Sequence, residues 1–167
     1  EMYRQNIGLM FLGGPGTGKS YMAACIANEI IERYMAEVLM TNFSRVLNGL
    51  FDAEDKNGYI QDIVRYPLLI IDDFGVERSN EYTMEQVYNV IDARYRTKLP
   101  LIITTNLTAE ELDNPKNIAY ARIYSRLSEM CIKYPFGNDG FREQLAEQKR
   151  THAREILRGG RGGAADA

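Results

Sequence analysis

Tryptophan is absent from this 167-residue chain, histidine occurs once and cysteine twice. With one histidine and no Cys-x-x-Cys pair there is no ligand set for a Cys/His zinc site and no framework for a disulfide scaffold. The two cysteines stand in apolar surroundings, Cys25 in a predicted helix and Cys131 beside a predicted strand, and are expected as buried free thiols. No apolar run approaches the ~18 residues that cross a bilayer, and no basic-then-apolar signal opens the chain. A cytoplasmic protein with no membrane partner is the expectation. Net positive charge is also missing: 20 Lys and Arg stand against 23 Asp and Glu, for a net −3. Attraction of a whole surface to nucleic acid scales with the phosphates neutralised, so any DNA contact is expected to be local. Only residues 142–161 run basic, with six Lys or Arg against three Glu. That stretch reads as a solvated helix passing into a disordered tail at 158–167.

What is present is 45% hydrophobic and 26% charged residues, the composition of one domain, placed at residues 1–157, long enough to bury a core. The most informative segment is Gly13-Gly14-Pro15-Gly16-Thr17-Gly18-Lys19-Ser20, a full GxxxxGK(S/T) pattern. Glycines at 13, 16 and 18 let the backbone turn with no Cβ in the way, so that successive N–H groups converge on the phosphates of a nucleotide. Lys19 would reach the β- and γ-phosphates, and the Ser20 hydroxyl would ligate the magnesium ion that bridges them. Tyr21, next in the chain, completes the candidate nucleotide-contact set. An apolar run at 6–12 precedes the loop, and apolar residues at 22, 26 and 30 within 21–37 follow it at helical spacing, so the loop sits between strand and helix.

Further along, strands are expected at 38–41, 67–73, 101–105 and 131–136. Helices are expected around 43–51, 59–64, 84–95, 117–129 and 141–157, with a flexible polar loop at 52–58 and a Thr108/Glu111 capping box. Alternating strands and helices imply a parallel sheet with helices on both faces and ligands at the carboxyl ends of the strands. The strand at 67–73 closes on Asp72-Asp73. The first acid is suited to hold magnesium through water and the second to accept a proton from an attacking water. Thr104-Thr105-Asn106, ending the next strand, offers a neutral amide to the γ-phosphate. Arg122 and Arg126 lie four apart on one helical face, where such arginines are commonly surface ion-pair partners; offered to a neighbouring copy's γ-phosphate, one would stabilise transition-state charge.

These segments together, with Leu69-Ile70-Ile71-Asp72-Asp73-Phe74-Gly75 and Arg122-Ile123-Tyr124-Ser125-Arg126-Leu127 as the most specific phrases, resemble AAA+ ATPases of the initiator clade. The nearer likeness is to bacterial replicative-helicase loaders of the DnaC/DnaI type, with IstB-like transposition ATPases as kin. The resemblance covers about residues 6–142. It implies an α/β fold, a three-layer αβα P-loop NTPase of the AAA+, ASCE type with a central parallel five-stranded sheet and a C-terminal lid reduced or missing. It implies ATP and ADP as ligands with Mg2+, and slow hydrolysis stimulated by oligomerisation or DNA. Lys19 and Ser20 would be the Walker A pair, Asp72 the Walker B acid, Asp73 the catalytic acid that is Glu in many relatives, and Asn106 sensor 1. Arg126 would be the finger acting on a neighbour, with Arg122 the runner-up, and Arg142 a sensor 2 equivalent. Asn42 would be either a switch holding Asp73 or a helix cap. Implied partners are single-stranded DNA, further copies of the chain assembled head to tail, and a replicative helicase docked through an N-terminal region expected to be absent here. Arg45 is the one basic residue in 41–51, where such relatives touch DNA.

Other readings remain: a transposition helper, an adaptor gated by nucleotide with little turnover, or a small-molecule kinase. No Asn-Lys-x-Asp motif for guanine occurs.

Overall fold

The computed structural model describes residues 2–75 and 81–137. The expected helix at 141–157, the tail at 158–167, the C-terminal lid and Arg142 lie outside the described residues.

Five strands form one parallel sheet: β1 (Gly8–Leu12), β2 (Val38–Asn42), β3 (Leu68–Phe74), β4 (Leu101–Thr105) and β5 (Cys131–Pro135), in the order β2-β3-β4-β1-β5. Strand β4 thus lies between β1 and β3. Strands covered on both faces need apolar residues at every position, and Leu69, Ile70, Ile71, Leu101 and Ile103 are fully buried accordingly. Each such side chain contributes about 1.5–3 kcal/mol on burial.

Period-two alternation divides the sheet between two cores. Phe11, Leu68, Ile70 and Ile102 face α1 (Lys19–Tyr34) and meet its Ala23, Ala27 and Ile30. Met10, Leu69, Ile71 and Ile103 face the other side, packed by α2 (Phe43–Asp52), α3 (Lys56–Val64), α4 (Glu81–Thr97), α5 (Ala109–Asp113) and α6 (Ile118–Met130). At the outer edge β5 pairs only with β1 among the described strands, and Lys133 reaches Asp113 at 2.5 Å.

Several boundaries differ from the sequence expectation for identifiable reasons. β1 begins at Gly8 rather than residue 6 because Asn6 takes a left-handed φ of 57° and closes a turn in which Ile7 N donates to Met2 O. Helix α1 begins two residues early, since Gly18 caps it, and stops at Tyr34, where Met35 turns left-handed. The polar loop expected at 52–58 is shorter: Asp55 accepts from Gly58 N at 3.0 Å and starts α3 at Lys56. The face of α1 that packs is the alanine stripe at 23 and 27, while Met22 is 44% exposed. That rotation also corrects the expectation for Cys25, which is exposed; Cys131 is buried, as expected. Both thiols are free.

Candidate nucleotide site

All five strands point their carboxyl ends to the same edge, so three successive connections there can converge. After β1 comes the loop 13–18, with Gly13, Gly16 and Gly18 at φ of 149°, 83° and 95°. Such values are open to glycine and strained for other residues. A Cβ at Gly13 would also lie 2.6 Å from the Phe136 carbonyl oxygen. Phe136 N in turn donates to Leu12 O at 2.6 Å, seating the end of β5 against the loop. Thr17 Oγ1 donates to the Gly14 carbonyl at 3.0 Å and braces the turn. Gly18 caps α1 without a side-chain hydrogen bond, which leaves first-turn N–H groups for an anion at the positive end of the helix. Ser20 stands in that first turn, and Tyr21 beside it is 62% exposed.

Lys19 is buried, yet its ammonium is well supplied with acceptors. Nζ donates to the carbonyls of Gly13 and Gly14 at 2.7 Å each and to Asn106 Oδ1 at 2.9 Å. The expected Walker lysine and sensor 1 residue, 87 positions apart, are therefore in direct contact.

The acids follow a different rule from the one expected. Asp72 is not at the end of its strand, because β3 continues to Phe74. Instead the β3–β4 ladder slips: Ile71 pairs with Ile103 and Phe74 with Thr105, so that Asp72 and Asp73 together oppose Thr104. Two residues against one is a bulge, and Asp73 accommodates it with a left-handed φ of 54°. Thr104 Oγ1 donates to Asp72 Oδ1 at 2.5 Å and accepts from Asp73 N at 2.9 Å. Thr105 stitches the next step, donating to Phe74 O at 2.7 Å and accepting from Leu107 N at 3.1 Å. Thr108 and Glu111 beyond it form the expected capping box, and Thr108 N donates to the Glu111 carboxylate, holding its pKa below the usual value.

Asn42 ends β2 opposite Asp72 in register and caps α2, its side chain accepting from Arg45 N at 2.9 Å. The capping role is thus filled.

The two arginines of α6 occupy different surroundings. Arg122 is exposed and lines a cavity of about 650 Å³ with Glu81, Glu85, Lys116 and Tyr120. Arg126 is half-buried against α4: Nε and Nη2 donate to Asp92, and the guanidinium lies 4.8 Å from the Tyr88 ring centroid and 5.7 Å from that of Tyr95. Asp92 also takes Arg96 at 2.8 Å, and Tyr95 donates to Glu129 at 2.6 Å. Sequence reasoning missed Thr104 as the clasp of the two acids and Asp92 as the seat of Arg126. The available signal for the first was a threonine pair closing an aliphatic run; for the second, 34 positions away, there was none.

Residues 2–149 match the family of IstB-like ATP-binding proteins. The replicative helicase loader DnaC of Escherichia coli strain K12 is 31% identical over 108 residues, covering 62% of this chain and 44% of the relative. The replicative helicase loader DnaI of Bacillus subtilis strain 168 is 28% identical over 108 residues, covering 63% and 35%. The chain thus spans less than half the length of these curated relatives. Among solved structures, that of the DnaC helicase loader superposes with a TM-score of 0.68 at 23% identity, covering 81% of each chain, a likeness of fold. With the family matched over most of its length and the same parallel sheet beneath the phosphate loop, the chain belongs to the IstB-like ATP-binding proteins as a DnaC/DnaI-like AAA+ domain.

Proposed function

We propose that this domain binds and hydrolyses ATP within a DNA-replication protein that loads a replicative helicase onto single-stranded DNA. The observation that carries the reading is the convergence of loop, acids and amide: Lys19 on Asn106, and Asp72 and Asp73 on Thr104, at the ends of adjacent strands.

The donor set suits magnesium, with the Ser20 hydroxyl as a direct ligand and Asp72 holding the ion through water. Among the described residues no group of three or more His, Cys, Asp or Glu could hold a metal alone, which fits an ion that keeps waters and arrives with phosphates. When bound, magnesium would offset the negative charge of the phosphates. Backbone amides from Gly13 to Gly18 would cradle the phosphates, with Tyr21 at the rim, and Lys19 would exchange a carbonyl partner for the γ-phosphate. Asp73 would take the proton of the attacking water and Asn106 would orient that water. Arg126, or Arg122 in its place, would supply positive charge to the site of the next copy in a head-to-tail assembly, which is heterologous and so builds open helices or rings. Arg142 would reach the nucleotide from outside the described residues. The helicase would dock through a region N-terminal to this domain.

Transposition help is the second reading: the matched family is that of the IstB-like ATP-binding proteins, the kin that the sequence resemblance linked to transposition. Phosphate release with and without single-stranded DNA, on the wild type and Lys19→Ala, tests the enzyme. Lys19→Ala is expected to weaken ATP binding about 100-fold, roughly 2.7 kcal/mol, and to abolish turnover. Unchanged affinity refutes the site. Stimulation of turnover by a helicase favours loading, and by a transposase the second reading.

A further inference from the structure

We infer that Thr104 is a positioning residue for both acids of the site, a role that rests on the ATP-hydrolysis reading above. Its hydroxyl has one proton and two lone pairs, and the geometry uses both kinds: the proton goes to Asp72 Oδ1 at 2.5 Å and a lone pair takes Asp73 N at 2.9 Å. Thr104 is fully buried on β4, at the bulge where one residue of β4 faces two of β3.

A bulge leaves its extra residue without a ladder partner, so its N–H must find another acceptor, in the protein or in water. Here the missing acceptor is supplied by a side chain. The Asp73 amide is anchored by the Thr104 hydroxyl while its φ stays left-handed at 54°, which takes Asp73 out of strict strand alternation with Asp72. The same hydroxyl fixes one oxygen of Asp72 by a short, charge-assisted bond, leaving the other oxygen for a metal-bound water. One group therefore sets the rotamer of the first acid and the backbone of the second. Valine would fill the same volume and suit a strand as well, so packing alone does not call for the hydroxyl. Thr105 makes the contrast: its hydroxyl bonds to backbone groups only, Phe74 O and Leu107 N.

The test compares Thr104→Val with Thr104→Ser in the full chain. Three quantities are read: hydrogen exchange of the Asp73 amide by NMR without nucleotide, the Mg2+ concentration that half-saturates binding of a fluorescent ATP analogue, and kcat against KM for ATP. Thr104→Val is expected to speed Asp73 exchange about tenfold or more, raise the Mg2+ requirement several-fold and lower kcat about tenfold with KM within twofold. Thr104→Ser is expected to restore each to within about twofold of wild type. Wild-type exchange and Mg2+ dependence in Thr104→Val would overturn the inference, as would a serine variant as impaired as the valine one. If Thr104→Val does not fold, Thr104→Ala takes its place under the same expectations. A wild-type chain that releases no phosphate sinks the hydrolysis reading instead, while exchange and Mg2+ dependence still decide the role of Thr104.

Discussion

Asp92 receives Arg126 on a single carboxylate oxygen, Oδ1, through Nε at 2.7 Å and Nη2 at 2.6 Å, joining α4 to α6. Among the described residues no hydrogen bond engages Nη1. Flanked by Tyr88 and Tyr95, the guanidinium is held by one edge with a second edge to spare. That is the arrangement of a preorganised cation as well as of a helix clamp.

Replacing Arg126 by alanine separates the two. ATP affinity measured by calorimetry on dilute protein is expected to stay within about twofold of wild type. Phosphate release that rises with chain concentration in the wild type is expected to lose that rise, and the melting temperature to fall by the equivalent of about 1 kcal/mol for a partly exposed ion pair. Weakened binding in the monomer would place the arginine in its own site.

Arg94 supports the opposite end of the sheet. It is fully buried, donating to the carbonyls of Val64 and Tyr66 at 2.6 and 2.7 Å and to that of Pro100, which ties the entries of β3 and β4 together. Burial pulls its pKa down to about 10, so it remains charged at neutral pH. Arg94→Met removes the donor shared by the Val64, Tyr66 and Pro100 carbonyls, leaving Pro100 O only Leu69 N at 3.5 Å, and is expected to cost about 3–5 kcal/mol in urea unfolding, with ATP affinity in the folded fraction unchanged. A variant as stable as wild type would show that those carbonyls find other donors.

The cysteines offer a chemical check on the packing of α1. Cys25 is exposed, whereas burial pushes the Cys131 thiol up to about 12. Thiolate is the reactive form. Brief maleimide treatment at pH 7.5 is expected to add one label, on Cys25, by mass spectrometry, and a second only in denaturant. Labelling of Cys131 in the folded chain would contradict the burial of its thiol.

The phosphate loop could be read directly because its chemistry is local: eight consecutive residues specify turn, cation and metal ligand. The buried strands were legible for a related reason, since parallel strands covered on both faces announce themselves as unbroken aliphatic runs. Three things were not legible. The face of α1 turned inward carries Ala23 and Ala27, whose small size lets the helix lie close to Phe11 and Ile70, with Ile26 and Ile30 beside them, while the hydrophobicity pattern also points to Met22, which is exposed. The bulge at Asp72-Asp73 depends on register against β4, which no window within β3 contains. The seat of Arg126 joins residues 34 positions apart.

Strand β5 bears on how copies of the chain can meet. An open sheet border invites a strand from another molecule, which leads toward fibrils. Here that border is five residues long, carries the Lys133 ammonium bound to Asp113, and ends in Pro135, which has no N–H to offer. Extension of the sheet across β5 is thereby discouraged, whereas the opposite border, where β2 pairs only with β3 among the described strands, carries neither charge nor proline and is where one copy's sheet would meet another's.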